Sequence, residues 1–285
     1  MKHLPKDFRY SFSKIESFRH CPMSFYLTYA EKPDYDGEIP GYFSQYGTLM
    51  HSLLEEYFKG ELPSFLLADE WRSRYDSVVT VPAPPFPAGF GEKNYNAAVE
   101  YLESFEGLPD HFEVLSVENK FVLNIDGYAV SGIADLVVRN RETGGIMVID
   151  HKTKSDNSMK KDLPTYTHQL YLYAMWVHEQ FGVWPDKLCF NMVKSGKMIE
   201  VEFDPAHVEE TRAWILDGIK SIEECDLFDN WTSCIPAGTE KEPYFCRSIC
   251  GCNDRCDDYI EVRNISYQRW LEKKQLEEEM MNGFS

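Results

Sequence analysis

Two carboxylates set in strand-forming, apolar sequence limit what this chain can become. The segment Tyr128–Val138 carries Gly132-Ile133-Ala134-Asp135, and the apolar run Ile146–Ile149 leads directly into Asp150-His151-Lys152. An ionised carboxylate taken out of water is costly unless something pairs with it. A chain that puts Asp135 inside one strand and Asp150 at the end of the next must therefore supply a shared ligand or several hydrogen-bond donors. A hard divalent cation suits the pair, because Mg²⁺ or Mn²⁺ takes carboxylate oxygens and keeps part of its water shell. Lys152 beside them can orient a water or stabilise charge developing on a phosphate. The same residues also read as a hydrogen-bonded Asp135 and a turn residue at Asp150, and spacing alone favours neither reading.

The surrounding pattern places the pair in a sheet. Lys120–Ile125 and Tyr128–Val138 flank Asp126-Gly127, a hairpin signal. After Ile146–Ile149 the pattern predicts a helix over Thr165–Phe181, then strands Leu188–Val193 and Met198–Phe203 around Ser195-Gly196-Lys197. Asp204-Pro205 then opens a helix reaching Ile222, with Asp at the N-cap and Pro at the first turn. Upstream, Ser13-Lys14-Ile15-Glu16 forms a capping box for a helix through Phe18 and Phe25 toward Tyr29, interrupted at Pro22 beside Cys21. A loop over Pro33–Tyr46 precedes a helix from Thr48 to Phe58, a helical stretch around Trp71, a proline-rich connection Val81–Pro87 and a helix Asn94–Phe105. This order implies an α/β (α+β) fold with one mixed sheet covered by helices. The chain divides into an N-terminal helical segment over 1–110, a core over 111–225 and a cysteine-bearing region with a terminal helix over 226–285, forming one compact unit overall. The acidic run Glu277-Glu278-Glu279 reads as a solvated face.

Composition narrows the classes. With 285 residues, 43% of them hydrophobic, the chain can bury a sizeable core. No run of about eighteen apolar residues spans a membrane, and Met1–Asp7 has no apolar segment behind its charges, so a cytoplasmic protein is expected. In that reducing setting, crowded cysteines hold metal more often than they form disulfides. Cys246, Cys250, Cys252 and Cys256 are crowded, whereas Cys189, Cys225 and Cys234 are scattered, Cys189 as a small apolar residue of a strand. A net charge of −18 argues against a protein that coats nucleic acid by charge, though not against one that grips it locally. Lys152, Lys154, Lys160 and Lys161 form a basic stretch that either guides a phosphate backbone or is simply solvated. No Gly-x-x-x-x-Gly-Lys-Ser/Thr sequence marks a P-loop motor.

Gly-Ile-Ala-Asp followed by Asp-x-Lys resembles the core of PD-(D/E)xK nucleases, and the flanking pieces resemble the RecB-like exonuclease branch. Gly47-Thr48-Leu49-Met50-His51 is similar to that branch's metal-binding histidine helix. Glu118 is similar to its upstream acidic position, and Gln169-Leu170-Tyr171-Leu172-Tyr173 to its Gln-x-x-x-Tyr helix over the active site. The resemblance runs from Ser11 to Asp258. It implies a restriction-endonuclease-like core in which His51, Asp135 and Asp150 bind Mg²⁺ or Mn²⁺ and Lys152 is catalytic. Glu118, Gln169 and Tyr173 support these residues or contact substrate. Read without the family, His51 is a polar helix residue facing a neighbour, and Gln169 and Tyr173 form a helix face packing on the sheet.

Some RecB-like enzymes, including AddB-type subunits and CRISPR-associated exonucleases, tie their domain with a four-cysteine [4Fe–4S] cluster. His20-Cys21-Pro22 and the C-terminal cysteines are similar to its ligand segments, implying ligation by Cys21, Cys246, Cys250 and Cys256, with Cys252 as a possible substitute. The internal spacing departs from the common Cys-x₂-Cys-x₅-Cys, and a structural zinc site built from the C-terminal cysteines alone competes with it. The function implied is a metal-dependent DNA exonuclease acting on ends or single strands, in recombination, repair or phage- or CRISPR-related processing, with room for a helicase or recombination partner. A DNA-end-binding subunit of such a complex and a zinc-stabilised hydrolase of another kind are the other classes left open.

Overall fold

A long antiparallel hairpin organises the larger part of the molecule, and the site sits where its neighbouring strands part. The computed structural model describes residues 2–31, 41–85 and 87–282, with side chains in the last helix described up to Gln275 and at Glu277. Most of the expected loop over Pro33–Tyr46, Phe86 of the proline-rich connection and the side chains of Glu278 and Glu279 lie outside the described residues.

The chain opens with strand β1 (Tyr10–Ser11), helix α1 (Phe12–His20), the short α2 (Pro22–Phe25) and a π-helical turn over Tyr26–Ala30. Ser11 Oγ accepts the Lys14 N–H at 3.2 Å, so α1 starts two residues before the expected Ser13 cap. The break at Pro22 falls where the proline requires it. Cys21 caps α2 by accepting the Ser24 N–H through its sulfur, and Pro22 occupies the first turn.

Helices α3 (Tyr42–Phe58), α4 (Leu67–Val78) and α5 (Phe90–Glu103) follow. They share a core of Tyr46, Leu49, Leu53, Leu54, Trp71 and Leu102, all nearly or fully buried. Beside β1, the sheet comprises β2 (Phe112–Ile125), β3 (Tyr128–Asn140), β4 (Ile146–Lys152), β5 (Lys187–Met192) and β6 (Lys197–Glu202), interrupted after β4 by the long helix α6 (Asp156–Phe181). Helices α7 (Ala206–Phe228), α8 (Tyr244–Ser248) and α9 (Asp257–Asn282) complete the chain.

Asp126 and Gly127 both take left-handed backbone angles, φ 51° and 91°, at the β2–β3 turn. This is the conformation a two-residue hairpin needs, and glycine tolerates it without strain. β2 pairs antiparallel with β3 along its length, while the other edge of β3 is shared. β1 pairs parallel with it at Val130 and Ser131, and β4 pairs antiparallel over Leu136–Arg139. β4 then runs parallel to β5, and β5 antiparallel to β6. The result is a mixed six-stranded sheet flanked by helices, the α/β architecture expected from the order of elements.

Two compact units emerge. One comprises Met1–Lys6, Glu16–Gly41 and Ser221–Ser285; the other comprises Asp7–Ile15 and Tyr42–Lys220 and holds the sheet. Among the described residues no helix is long and apolar enough to cross a membrane.

Candidate active site and cysteine cluster

Alternation along β4 sorts its last residues onto two faces. Asp150 and Lys152 lie toward α6, where Lys152 Nζ donates to Gln169 Oε1 at 2.7 Å. His151 lies toward α3 and α5, its ring stacked on Phe58 and its Nδ1 accepting from the Asn191 side-chain amide at 2.9 Å. The last paired residues of β3 and β4 are Leu136 and Ile149. Asp135 and Asp150 are the next residues of each strand, so both carboxylates stand at the mouth of a fork. Across the fork Asp135 Oδ2 accepts the His151 backbone N–H at 2.8 Å, replacing the ladder bond that is missing there.

Three donors converge on this point. His51 of α3 brings Nδ1 to 3.0 Å from Glu118 Oε1 and 3.5 Å from Asp135 Oδ2, and one ligand atom from each residue lies within 4.8 Å of the others. His51 Nε2 donates to the His151 carbonyl at 3.0 Å. Such a bond fixes the ring and turns Nδ1 toward the two carboxylates, where a cation would bind, as second-sphere carbonyls do for metal-bound histidines. Glu118 holds a left-handed backbone, φ 46°, at a cost of about 1–3 kcal/mol for a residue with a side chain. Strain of that kind persists where the neighbouring structure imposes it, and here it turns the carboxylate toward His51.

The electrostatics of this group suit a bound cation. Burial, then the neighbouring Asp150 charge, raise the Asp135 carboxyl to about 7, against the opposing pull of His51. Burial would lower His51, but the Asp135 charge and the hydrogen bond that Glu118 accepts outweigh it and raise the imidazole to about 9. Asp150 is 1% exposed. Lys152 Nζ approaches its Oδ2 at 2.8 Å, but not in a direction that makes a hydrogen bond, so that buried oxygen has no donor. A crowded set of carboxylates, one imidazole and an orphaned buried oxygen fit a divalent cation: hard oxygen donors with one nitrogen, at separations that ligand bonds of about 2.1 Å span.

Beyond Lys152 the contacts continue along α6. Gln169 Nε2 donates to the Tyr173 hydroxyl at 2.6 Å. Tyr173 meets Phe121 edge-on, and Phe121 stacks on Trp176. Gly132 gives Phe121 its room, since a Cβ there would lie 2.3 Å from the ring. Lys152 Nζ also stands 4.7 Å above the Tyr166 ring. Lys154 binds Asp162 and Tyr166, both at 2.9 Å, so its charge is partnered within the protein.

The structure thus gathers His51, Glu118, Asp135, Asp150, Lys152, Gln169 and Tyr173 at one end of the sheet. Asp150 adjoins the three-donor group without belonging to it, whereas Glu118, expected only in support, is part of it. His151 and Asn191 escaped the sequence reading. The signal was present, since a histidine between two site residues on a strand must face the opposite side and needs a partner there.

All the cysteines expected to bind a cluster lie in the other unit. Cys21, Cys246, Cys250, Cys252 and Cys256 line one pocket. Cys234 lines it too, which corrects its reading as a scattered residue: the chain between α7 and α8 folds back and brings it in. Cys189, by contrast, is fully buried in β5, as expected.

A family model of the PD-(D/E)XK nuclease superfamily matches residues 9–257. The chain belongs to that superfamily and is by class a nuclease. It is similar to the solved structure of a candidate exonuclease from Eubacterium rectale, at 12% identity over 79% of this chain and 84% of that one, TM-score 0.45. It is also similar to the structure of SSO0001, at 18% identity over 90% of this chain and 89% of that one, TM-score 0.33. No curated protein matches it.

Proposed function

We propose that the chain is a Mg²⁺- or Mn²⁺-dependent deoxyribonuclease of the RecB-like branch. It hydrolyses phosphodiester bonds as an exonuclease at DNA ends or on single strands, in recombination, repair or phage- or CRISPR-related processing. The observation that carries this reading is the fork. Asp135 and Asp150 meet where β3 and β4 part, with His51 and Glu118 facing them and one buried Asp150 oxygen left without a donor.

His51, Glu118, Asp135 and Asp150 would hold the cation, which supplies Lewis-acid stabilisation of a phosphodiester and acidifies water. Asp150 and Gln169 hold the Lys152 ammonium in place, and Gln169 is braced in turn by Tyr173. Lys152 is thereby positioned to stabilise charge developing on a phosphate oxygen or to orient the attacking water. The His151 carbonyl keeps His51 in the tautomer that presents Nδ1.

The cysteine pocket supports a [4Fe–4S] centre over zinc. Four thiolates around one zinc ion lie about 3.8 Å apart, given Zn–S bonds of about 2.3 Å. Cys234 and Cys246 reach 3.9 Å, but no three thiols fall within 4.8 Å of one another among the described residues. That spacing suits a polynuclear centre held by four of the thiols lining the pocket better than a single zinc ion.

Incubating end-labelled single- and double-stranded DNA with anaerobically purified protein, in Mn²⁺ or in EDTA, tests the proposal. Stepwise loss of nucleotides is expected in Mn²⁺, abolished by EDTA and by Asp150→Ala. Absence of cleavage by folded, metal-loaded wild type would overturn it.

A further inference from the structure

The six thiols around the pocket fall into two groups, and the division does not follow their order in the sequence. Cys21 is the hub of the first group. Its sulfur accepts the backbone N–H of Cys234 at 3.4 Å, and Cys234 Sγ lies 3.9 Å from Cys246 Sγ. The thiols of Cys246 and Cys256 neighbour Cys21 in the pocket that the three line together. The second group is Cys250 with Cys252, which hydrogen-bond to each other. Polar protein groups also reach them: Ser24 Oγ lies 3.6 Å from Cys250, and Thr28 Oγ1 at 3.2 Å and the Arg255 guanidinium at 3.6 Å from Cys252.

The backbone that carries Cys234 is fixed. Trp231 stacks on Phe25, and the Thr232 carbonyl accepts the Met23 N–H at 2.9 Å. With the Cys234 N–H bound to Cys21, this segment is tied to α2 on both sides of Ser233. A thiol held in this way is already placed for ligation and owes little ordering entropy when metal arrives.

We infer that Cys234 is a ligand of the metal centre, completing a four-thiolate set with Cys21, Cys246 and Cys256, and that Cys250 and Cys252 stand outside it. The inference rests on the proposed thiolate-bound centre and changes which residues hold it. Cys250, which C-terminal spacing favours, is replaced by a residue from the preceding loop.

The test uses the full chain, purified anaerobically as wild type, Cys234→Ser and Cys250→Ser, with iron, zinc and acid-labile sulfide measured per chain alongside the visible spectrum. Expected are iron and sulfide in wild type, their retention in Cys250→Ser, and a fall of about tenfold or more in Cys234→Ser, as for loss of a metal ligand. Full retention in Cys234→Ser, with loss in Cys250→Ser, overturns the inference while leaving the iron–sulfur reading intact. Zinc without sulfide in wild type overturns the iron–sulfur reading instead, and zinc content across the same variants then decides the ligand. Metal-free wild type overturns both. Should Cys234→Ser not fold, maleimide labelling of native wild type reads the same point. Cys234 is expected to be shielded until the metal is stripped, and labelling with metal in place overturns the assignment.

Discussion

Replacing Asp135 by Asn should make the metal-free protein more stable while destroying its activity. In the folded, cation-free state the Asp135 carboxyl ionises at about 7 instead of its ordinary 3.8, because of burial and the adjacent Asp150. At roughly 1.36 kcal/mol per pH unit, keeping it ionised at pH 8 costs the folded state about 4 kcal/mol. Asparagine removes that cost and can still accept the His151 N–H that Asp135 Oδ2 accepts now. Part of the gain is returned, since His51, raised to about 9 chiefly against burial by Asp135, loses its main counter-charge. The net expectation is a gain of about 2 kcal/mol in EDTA at pH 8. The sign follows from proton counting. The folded protein keeps a proton on Asp135 that the unfolded chain has released, so the cost grows as pH rises from about 4 to about 7 and is complete above. The advantage of Asp135→Asn should therefore fade on acidification toward pH 4. Urea denaturation in EDTA measures it, and Mn²⁺ should then raise the midpoint of wild type but not of the variant, by mass action on the folded state. An Asp135→Asn protein less stable than wild type in EDTA at pH 8 would refute the reasoning, because it would mean the carboxylate is satisfied without a cation.

Three further outcomes follow from the same contacts. Lys152→Met should reduce cleavage by about 10²–10³, the loss typical of one charge-stabilising donor, while Mn²⁺ binding by calorimetry persists; activity within tenfold of wild type would remove Lys152 from the chemistry. Gly132→Ala should destabilise the fold by about 1–3 kcal/mol, as overpacking does, because the new Cβ meets the Phe121 ring, and denaturant titration reads it. Burial, then the charges of His51 and Lys152, hold His151 down at about 3, so the unfolded chain takes up a proton there as pH falls below 6.5 and folding weakens. His151→Gln should lose about 2 kcal/mol less than wild type between pH 6.5 and 5, and parallel denaturation curves across that range would contradict this.

The hairpin and the cap at Asp204 were legible because each depends on local chemistry, a two-residue turn and a side chain reaching its own helix, whereas the Asp135–Asp150 pair was singled out by the family resemblance and not by its spacing. Asp204 Oδ1 does accept the Ala206 N–H at 2.9 Å. Helix α3 began earlier than Thr48 because its first turns are built from tyrosines that look like loop residues. Tyr42 and Tyr46, one turn apart, are buried and continue the apolar face of Leu49 and Leu53. Helix α6 began before Thr165 because Pro164 lies inside it. The carbonyl that loses its partner belongs to exposed Lys160, where water can replace the missing bond. Glu118's role and Cys234's place depend on backbone conformation and chain reversal, which no residue spacing encodes. Cys234 gave no sign of joining Cys246 because the connection between them carries no regular pattern.

The amide that bridges the fork has a use of its own. The His151 N–H points at Asp135 Oδ2, an oxygen that also lies beside His51. Protonation of that carboxylate, or its capture by a cation, alters the acceptor strength felt by this single N–H. One backbone resonance in a nitrogen–proton correlation spectrum would therefore report the charge state of the whole cluster. It would do so without substrate or turnover, and in any variant that keeps the strand in place.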